Sequence, residues 1–140
     1  MALLNSEEQR QKGKEISAQL FGGGQRPAAT PNAPGPINSD FQAMLTEWMF
    51  GGVWSRPGLD MQQRSMVALA VLAAQGLEPH LHTNIMSARR LGLSEEQIEE
   101  ILIQVGMYAG LPRSVTSLRI ARAAFDQFTA ASGPAGVAQS

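Results

Sequence analysis

Apolar residues recur at the spacing of helix turns along most of the chain. No stretch alternates between apolar and polar residues over the length of a strand. The spacing predicts six helices, which start near residues 6, 39, 60, 79, 94 and 112. The pattern therefore predicts an all-α protein with about six helices.

Residues that favour helix starts support three of these predicted boundaries. The second helix is expected to begin near Ser39 or Asp40, residue types that favour helix starts. Pro79 suits the first turn of the fourth helix. Ser94 and Gln97 have the spacing of a capping box at the start of the fifth.

The composition divides the chain into three segments. Residues 1–37 comprise a helix and a Gly/Pro-rich arm over 22–37, whose composition favours neither helix nor strand. Residues 38–131 are expected to form the helical domain, and residues 132–140 a flexible tail. The arm could cover a neighbouring subunit or act as a lid, and the sequence leaves both open.

The segment from Met66 to Ala74 is apolar on more than one helical stripe. A helix of this kind is usually buried on two sides. The feature favours a homo-oligomer over the alternative, the central helix of a monomeric bundle.

Composition and charge narrow the class of protein. A chain of 140 residues with 44% hydrophobic residues is suited to one soluble domain. The formal net charge of −1 gives no reason to expect nucleic acid or a membrane surface as a partner. There is no cysteine, which excludes disulfides and thiol nucleophiles. The first residues show no apolar signal region, so we expect a cytoplasmic protein.

Two loop-like segments carry the most specific pattern in the chain. The first is Gly-Gly-Val-Trp-Ser-Arg-Pro-Gly-Leu at 51–59, and the second is Tyr-Ala-Gly-Leu-Pro at 108–112. Together with Gly-Leu-Ser at 92–94, they make residues 38–128 resemble the carboxymuconolactone decarboxylase family. The resemblance implies an all-helical alkylhydroperoxidase-type fold and a homo-oligomer, a trimer or a hexamer built from trimers. It also implies cofactor-free decarboxylation of 4-carboxymuconolactone to the enol-lactone of 3-oxoadipate.

The chain departs from the family at three polar positions. Asn84 stands where the family usually has a histidine, and His80 where decarboxylases commonly have a glutamate. Gly52 replaces the glutamate of the family's Gly-Glu-Val-Trp. The related peroxidase branch places its second cysteine and its histidine at the positions of His80 and Asn84. Two branches thus place reactive groups there, which favours a pocket at these positions.

His80, Asn84 and Ser87 are spaced by four and three residues, so a helix places them on one face. His80 is the best candidate general acid or base, because the pKa of an unperturbed imidazole, about 6.5, lies near working pH. A helix N-terminus disfavours the imidazolium and keeps the ring neutral, the form that can accept a proton. Asn84 could donate a hydrogen bond to a developing enolate, and Ser87 could contact substrate. The alternative is that these residues have no catalytic role and are hydrogen-bonded polar groups at an interface between subunits.

His82 is a second histidine on a different face of the same predicted helix. Because residues two apart do not face each other, His80 and His82 cannot chelate one metal ion from a helix, and we expect no metal site. His82 remains a candidate substrate contact, although a place at the surface or at an interface is favoured.

Three further residues are candidates through the resemblance. Arg56 could bind a substrate carboxylate with two parallel hydrogen bonds, or instead anchor its loop. Trp54 could wall the pocket, although a core position is favoured. Tyr108 could present its hydroxyl to substrate, or pack with its hydroxyl bonded to the backbone.

Three functions fit these observations. The first is a carbon–carbon lyase of the carboxymuconolactone decarboxylase type, acting on a small carboxylated lactone or keto acid with His80 as proton donor or acceptor. The second keeps the fold and pocket for isomerisation, cyclisation or dehydration of a polyketide-like or aromatic intermediate. The third is a non-catalytic oligomeric binding protein. The first is favoured, although fold alone does not fix function.

Overall fold

The computed structural model describes residues 6–23 and 37–133, and all regular structure within them is helical. The elements are α1 Ser6–Phe21, α2 Ser39–Met44, a π-helix Leu45–Trp54 that continues α2, α3 Met61–Gln75, α4 Glu78–Arg90, α5 Glu95–Ala109 and α6 Leu111–Ser132. The prediction of an all-α fold with about six helices is confirmed. Most of the Gly/Pro-rich arm and of the tail lies outside the described residues, and the predicted domain limits remain predictions.

The helix starts agree with the sequence signals. The Ser94–Gln97 capping box is present in both directions, with hydrogen bonds of 3.0 and 2.9 Å. The cap of α2 is Asn38, whose side-chain oxygen accepts from the N–H groups of Asp40 and Phe41 at 2.9 and 3.2 Å. The predicted start of the second helix near Ser39 or Asp40 is therefore confirmed, and Asn38 is the residue that caps it.

The described residues divide into two compact units, with the boundary between Met61 and Gln62. In the first unit α1 packs against the π-helix, and Ile16 and Leu20 are buried on the inner face of α1. Phe21 and Phe50 meet edge to face there, with ring centroids 5.9 Å apart. Aromatic pairs favour this geometry.

Two glycines allow α1 and the π-helix to approach closely. A Cβ placed on Gly13 would lie 2.8 Å from the carbonyl carbon of Thr46, and one on Gly51 would lie 2.6 Å from the carbonyl carbon of Gln9. Real Cβ atoms do not approach backbone this closely, so the crossing requires glycine at both positions. Nearby, Arg10 and Glu47 form an ion pair at 3.4 Å.

The second unit has its own hydrophobic core, to which α3, α4, α5 and α6 all contribute. The core residues that are completely or almost completely buried include Leu69, Leu81, Ile85, Leu93, Ile98, Leu102 and Phe125. Burying one such side chain contributes about 1.5–3 kcal/mol relative to leaving it exposed. This cluster holds α4, which carries most of the candidate site, between its neighbours.

Arg89 links the end of α4 to the next elements of this unit. Its Nη1 donates to the carbonyl oxygen of Leu93 at 2.6 Å, and its Nη2 lies 3.9 Å from a Glu95 carboxylate oxygen. The guanidinium carbon also lies 5.2 Å from the centre of the Phe128 ring in α6, which is cation–π distance. One side chain thus connects three consecutive helices.

None of the helices in the described ranges combines the length and the hydropathy that crossing a bilayer requires.

Candidate active site

The start of α4 places His80 in an exposed first turn. Leu77 occupies the cap position and supplies no side-chain hydrogen bond, while Pro79 lies in the first turn, as predicted. Backbone N–H groups at the start of a helix have no partner within the helix and carry partial positive charge. The imidazole of His80 is therefore open to solvent at the positive end of α4.

Asn84 lies one turn after His80 and is hydrogen-bonded to its backbone. Its side-chain Nδ2 donates a hydrogen bond to the backbone carbonyl oxygen of His80 at 2.8 Å. An amide nitrogen carries two hydrogens, so the second N–H of Asn84 remains for another acceptor. The predicted pairing of these two residues on one helix face is therefore present, and Asn84 is half-buried beside an exposed histidine.

Ser87, one turn further along, is held inside the unit. Its side chain is 1% exposed, and its hydroxyl donates to the carbonyl oxygen of Thr83 at 3.2 Å. Thr83 repeats the pattern, because its hydroxyl donates to Pro79 at 3.1 Å. Ser87 shares the helix face of His80 but offers no open surface to a ligand in this chain.

His82 lies on a different face of α4, as expected from its spacing, and is half-buried. Among the residues that the structure describes, no three His, Cys, Asp or Glu side chains lie close enough together to hold a metal ion.

Trp54 and Arg56 belong to the first unit. Trp54 is half-buried and packs against Phe50, with ring centroids 6.4 Å apart and an interplanar angle of 57°. Arg56 is exposed, and its backbone N–H donates to the carbonyl oxygen of Val53 at 3.2 Å. This bond forms the turn after the π-helix, and the Ser55 hydroxyl adds a bond to the carbonyl oxygen of Gly51.

Tyr108, in the last turn of α5, is 87% exposed. The described residues of the single chain therefore leave its ring largely uncovered, and its contact with substrate stays a prediction. It has exposed apolar neighbours in Met107, at 68%, and Leu111, at 60%.

A carboxylate that the sequence analysis missed lies in the π-helix. Glu47 is the one charged residue of the π-helix, and its side chain is 18% exposed in its ion pair with Arg10. Its backbone oxygen lies 3.6 Å from the position of a Cβ at Gly52. The sequence signal that could have identified it is an acidic residue within an otherwise largely apolar segment. Gly52 has room for a side chain.

Comparison with known proteins agrees with this architecture. Residues 39–123 match the model of the carboxymuconolactone decarboxylase family. A 4-carboxymuconolactone decarboxylase of Acinetobacter baylyi is 31% identical over 122 residues, which cover 87% of this chain and 90% of that protein. A nitrosuccinic acid decarboxylase of Metarhizium robertsii is 36% identical over 85 residues, or 59% of this chain and 58% of that protein. An uncharacterized 15.0 kDa protein of Paracoccus denitrificans is 32% identical over 84 residues, which are 59% of this chain and 62% of that protein.

The helical fold, the two sequence motifs and the match over more than half of the chain define one class. The motifs were expected to be loops, but residues 51–54 lie in the π-helix, and residues 108–109 and 111–112 lie in α5 and α6. The chain belongs to the carboxymuconolactone decarboxylase family. Relatives named as decarboxylases support a decarboxylase-like function for it.

Proposed function

We propose that this chain is a cofactor-free carboxy-lyase that acts on a small carboxylic acid, with His80 as the group that handles the proton. The observation that carries the proposal is the exposed imidazole of His80 beside Asn84, whose amide is held by one N–H and has a second N–H to donate. The reaction class, decarboxylation, is inferred from the family membership.

The names of the two decarboxylase relatives suggest the kind of substrate. One is named for a carboxylated lactone and the other for a nitro-substituted dicarboxylic acid. A lactone carbonyl and a nitro group each accept the electron pair that remains when CO₂ leaves. We therefore propose a substrate whose carboxylate lies near such an electron-withdrawing group, a carboxylated lactone or keto acid being the first choice.

The chemistry assigned to α4 has two steps. The bond between the carboxylate carbon and its neighbour breaks, CO₂ leaves, and the electron pair is delocalised onto a carbonyl oxygen. Asn84 stabilises that oxygen with its second N–H, a contribution that increases as the charge develops. His80, as the imidazolium, then transfers a proton to carbon and becomes the neutral imidazole. Solvent, to which its exposed ring has access, reprotonates it.

The family resemblance suggests roles for two further residues, Arg56 and Tyr108. Arg56 would bind the substrate carboxylate as a planar, permanently charged group. Tyr108 is a second candidate donor to the developing oxyanion. We further propose a homo-oligomer, because Tyr108, Val67 and Val71 expose apolar surface in the single chain.

The proposal is tested with purified protein and a panel of 4-carboxymuconolactone, nitrosuccinate and simple β-keto acids. We expect CO₂ release from at least one member, with a product that has exchanged the carboxyl group for hydrogen. Conversion of panel members to isomers or dehydrated products without CO₂ would contradict the lyase proposal and favour isomerisation, cyclisation or dehydration in the same pocket. Binding of panel members without turnover would favour the non-catalytic alternative.

A further inference from the structure

The first unit carries a row of exposed apolar side chains along α2 and the π-helix. These side chains are each exposed at 41–59%. Phe50 and Gly51, the buried residues of the π-helix, lie on the side that packs against α1. The exposed row, called the apolar stripe below, consists of Phe41, Met44, Trp48, Met49 and Val53.

The change from α-helix to π-helix is what aligns the stripe. Phe41 and Met44 are three residues apart in the first part, so they share one face of α2. From Met44 to Val53, nine residues of α-helix would turn the chain by about 180° and place the two side chains on opposite faces. The wider turns of a π-helix, with bonds from i to i+5, return Val53 to the same face in two turns.

The size of the stripe favours one kind of occupant. Five side chains at this exposure present on the order of 500 Å² of apolar surface, since one aromatic ring alone contributes up to about 250 Å². A monomeric protein rarely leaves a patch of this size without a function. A stable interface with a second protein buries about 800 Å² per partner, which is more than the stripe supplies. A short extended segment of chain fits the area better.

The chain itself contains a segment of suitable chemistry. Residues 24–36, within the Gly/Pro-rich arm and outside the described residues, include the prolines at 27, 31, 34 and 36. Proline-rich sequences favour the polyproline II conformation and bind surfaces lined by aromatic side chains. The one charged residue of the segment is Arg26, whereas the charged residues of α2 and the π-helix are Asp40 and Glu47. The charges are therefore complementary.

The ends of this segment lie in the same unit as the stripe. It follows α1, whose last residue, Phe21, packs against Phe50 of the π-helix. It precedes Asn38, which caps α2. About 18 Å of helix separates Phe50 from Asn38, whereas residues 24–36 reach about 40 Å in the polyproline II conformation. The segment is thus long enough to return along the stripe.

We propose that residues 24–36 dock on the apolar stripe of their own chain. Both ends of the segment are attached to the first unit, so its effective concentration at the stripe is on the order of millimolar. A weak contact between prolines and the rings of Phe41 and Trp48 is therefore sufficient. The inference involves neither α4 nor the proposed reaction.

The test uses the full chain, in which the absence of cysteine makes two introduced thiols the only ones. Ala29→Cys and Ala33→Cys are each combined with Met44→Cys in the stripe. In the matched controls they are combined with Gln19→Cys, at an exposed position of α1. Separations along the chain are similar, so random collisions within the chain should give similar rates for both sets. A disulfide forms only where the two Cα atoms come within about 7 Å.

The rate of disulfide formation under mild oxidation is followed by intact mass and on non-reducing gels. We expect at least one Met44→Cys pair to close within the chain ~10-fold faster than its Gln19→Cys control. Equal rates, or faster closure of the controls, would overturn the proposal. Disulfides mainly between chains would also overturn it, because the segment of a neighbouring copy would then occupy the stripe. If the Met44→Cys variants fail to fold, Val53→Cys takes their place with the same expected ratio.

Discussion

The side-chain amide of Asn84 donates a hydrogen bond to the backbone carbonyl oxygen of His80, 2.8 Å away. This bond fixes the orientation of the amide and leaves its second N–H available beside an exposed imidazole. The chain thus presents one histidine and one amide one turn apart on α4.

Asn84→Ala should reduce catalysis without reducing stability. We expect kcat/KM to fall by about 10²-fold, because one donor to the developing charge is lost. The free energy of unfolding should stay the same or rise slightly, since alanine is the better helix former. Thr83→Ala is the matched control, because it removes the same kind of hydrogen bond to the preceding turn. Equal loss of activity in both variants would show that helix geometry, rather than the Asn84 amide, is responsible.

Gly51→Ala should destabilise the protein, whereas Gly52→Ala should not. At Gly51 the new Cβ would meet the backbone of Gln9, whereas at Gly52 the nearest atoms are 3.6 Å away. We expect the first change to cost about 2–3 kcal/mol, as overpacking does. The second should be neutral, or stabilising by less than about 1 kcal/mol. Urea unfolding measures the stability of each variant. Equal midpoints would contradict the close crossing of α1 and the π-helix.

Arg89→Ala should destabilise the second unit far more than Arg122→Ala. Arg89 is bonded to the backbone of Leu93, and removing a hydrogen bond from a charged group costs about 1.5–3 kcal/mol. Arg122 pairs with Glu99 at 3.3 Å, but both side chains are well exposed, at 63% and 39%. An exposed ion pair contributes about 0–1 kcal/mol. Thermal unfolding should therefore rank the variants clearly, and a larger effect of Arg122→Ala would refute this ranking.

The proposed oligomer predicts a specific effect on α3. Val67 and Val71 are 55% and 48% exposed and lie one turn apart. We expect light scattering to give a mass well above that of one chain, and Val71→Lys to reduce it by placing a charge in the interface. Gln127→Lys, at an exposed polar position of α6, should leave the mass unchanged. A monomeric wild-type protein would contradict the proposed assembly.

The helical fold followed from local signals. The Ser94–Gln97 capping box and Pro79 act within one turn, so residues close in sequence were enough to place α4 and α5. The spacing of His80 and Asn84 likewise predicted that they share one face, because that relationship depends only on the helix itself.

The features that were missed depend on contacts between distant parts of the chain. The π-helix uses the same residue types as an α-helix, and its close contact with α1 at Gly51 and Gln9 is not visible in either segment alone. The same applies to Arg113, whose guanidinium carbon would lie 2.9 Å from a Cβ placed on Gly76, since no local pattern relates the two residues. Tyr108 was expected either to reach a pocket or to pack, and its exposure reflects where the α5–α6 turn falls.

The most direct test of the central claim is the rate of CO₂ release from 4-carboxymuconolactone, measured for the wild-type chain, His80→Ala and the control Thr83→Ala. The proposed mechanism predicts release by the wild type and by Thr83→Ala. It also predicts a decrease of about 10²–10⁴-fold in His80→Ala, the range expected for one positioned proton donor. Undiminished release by a folded His80→Ala variant would contradict the role assigned to this histidine.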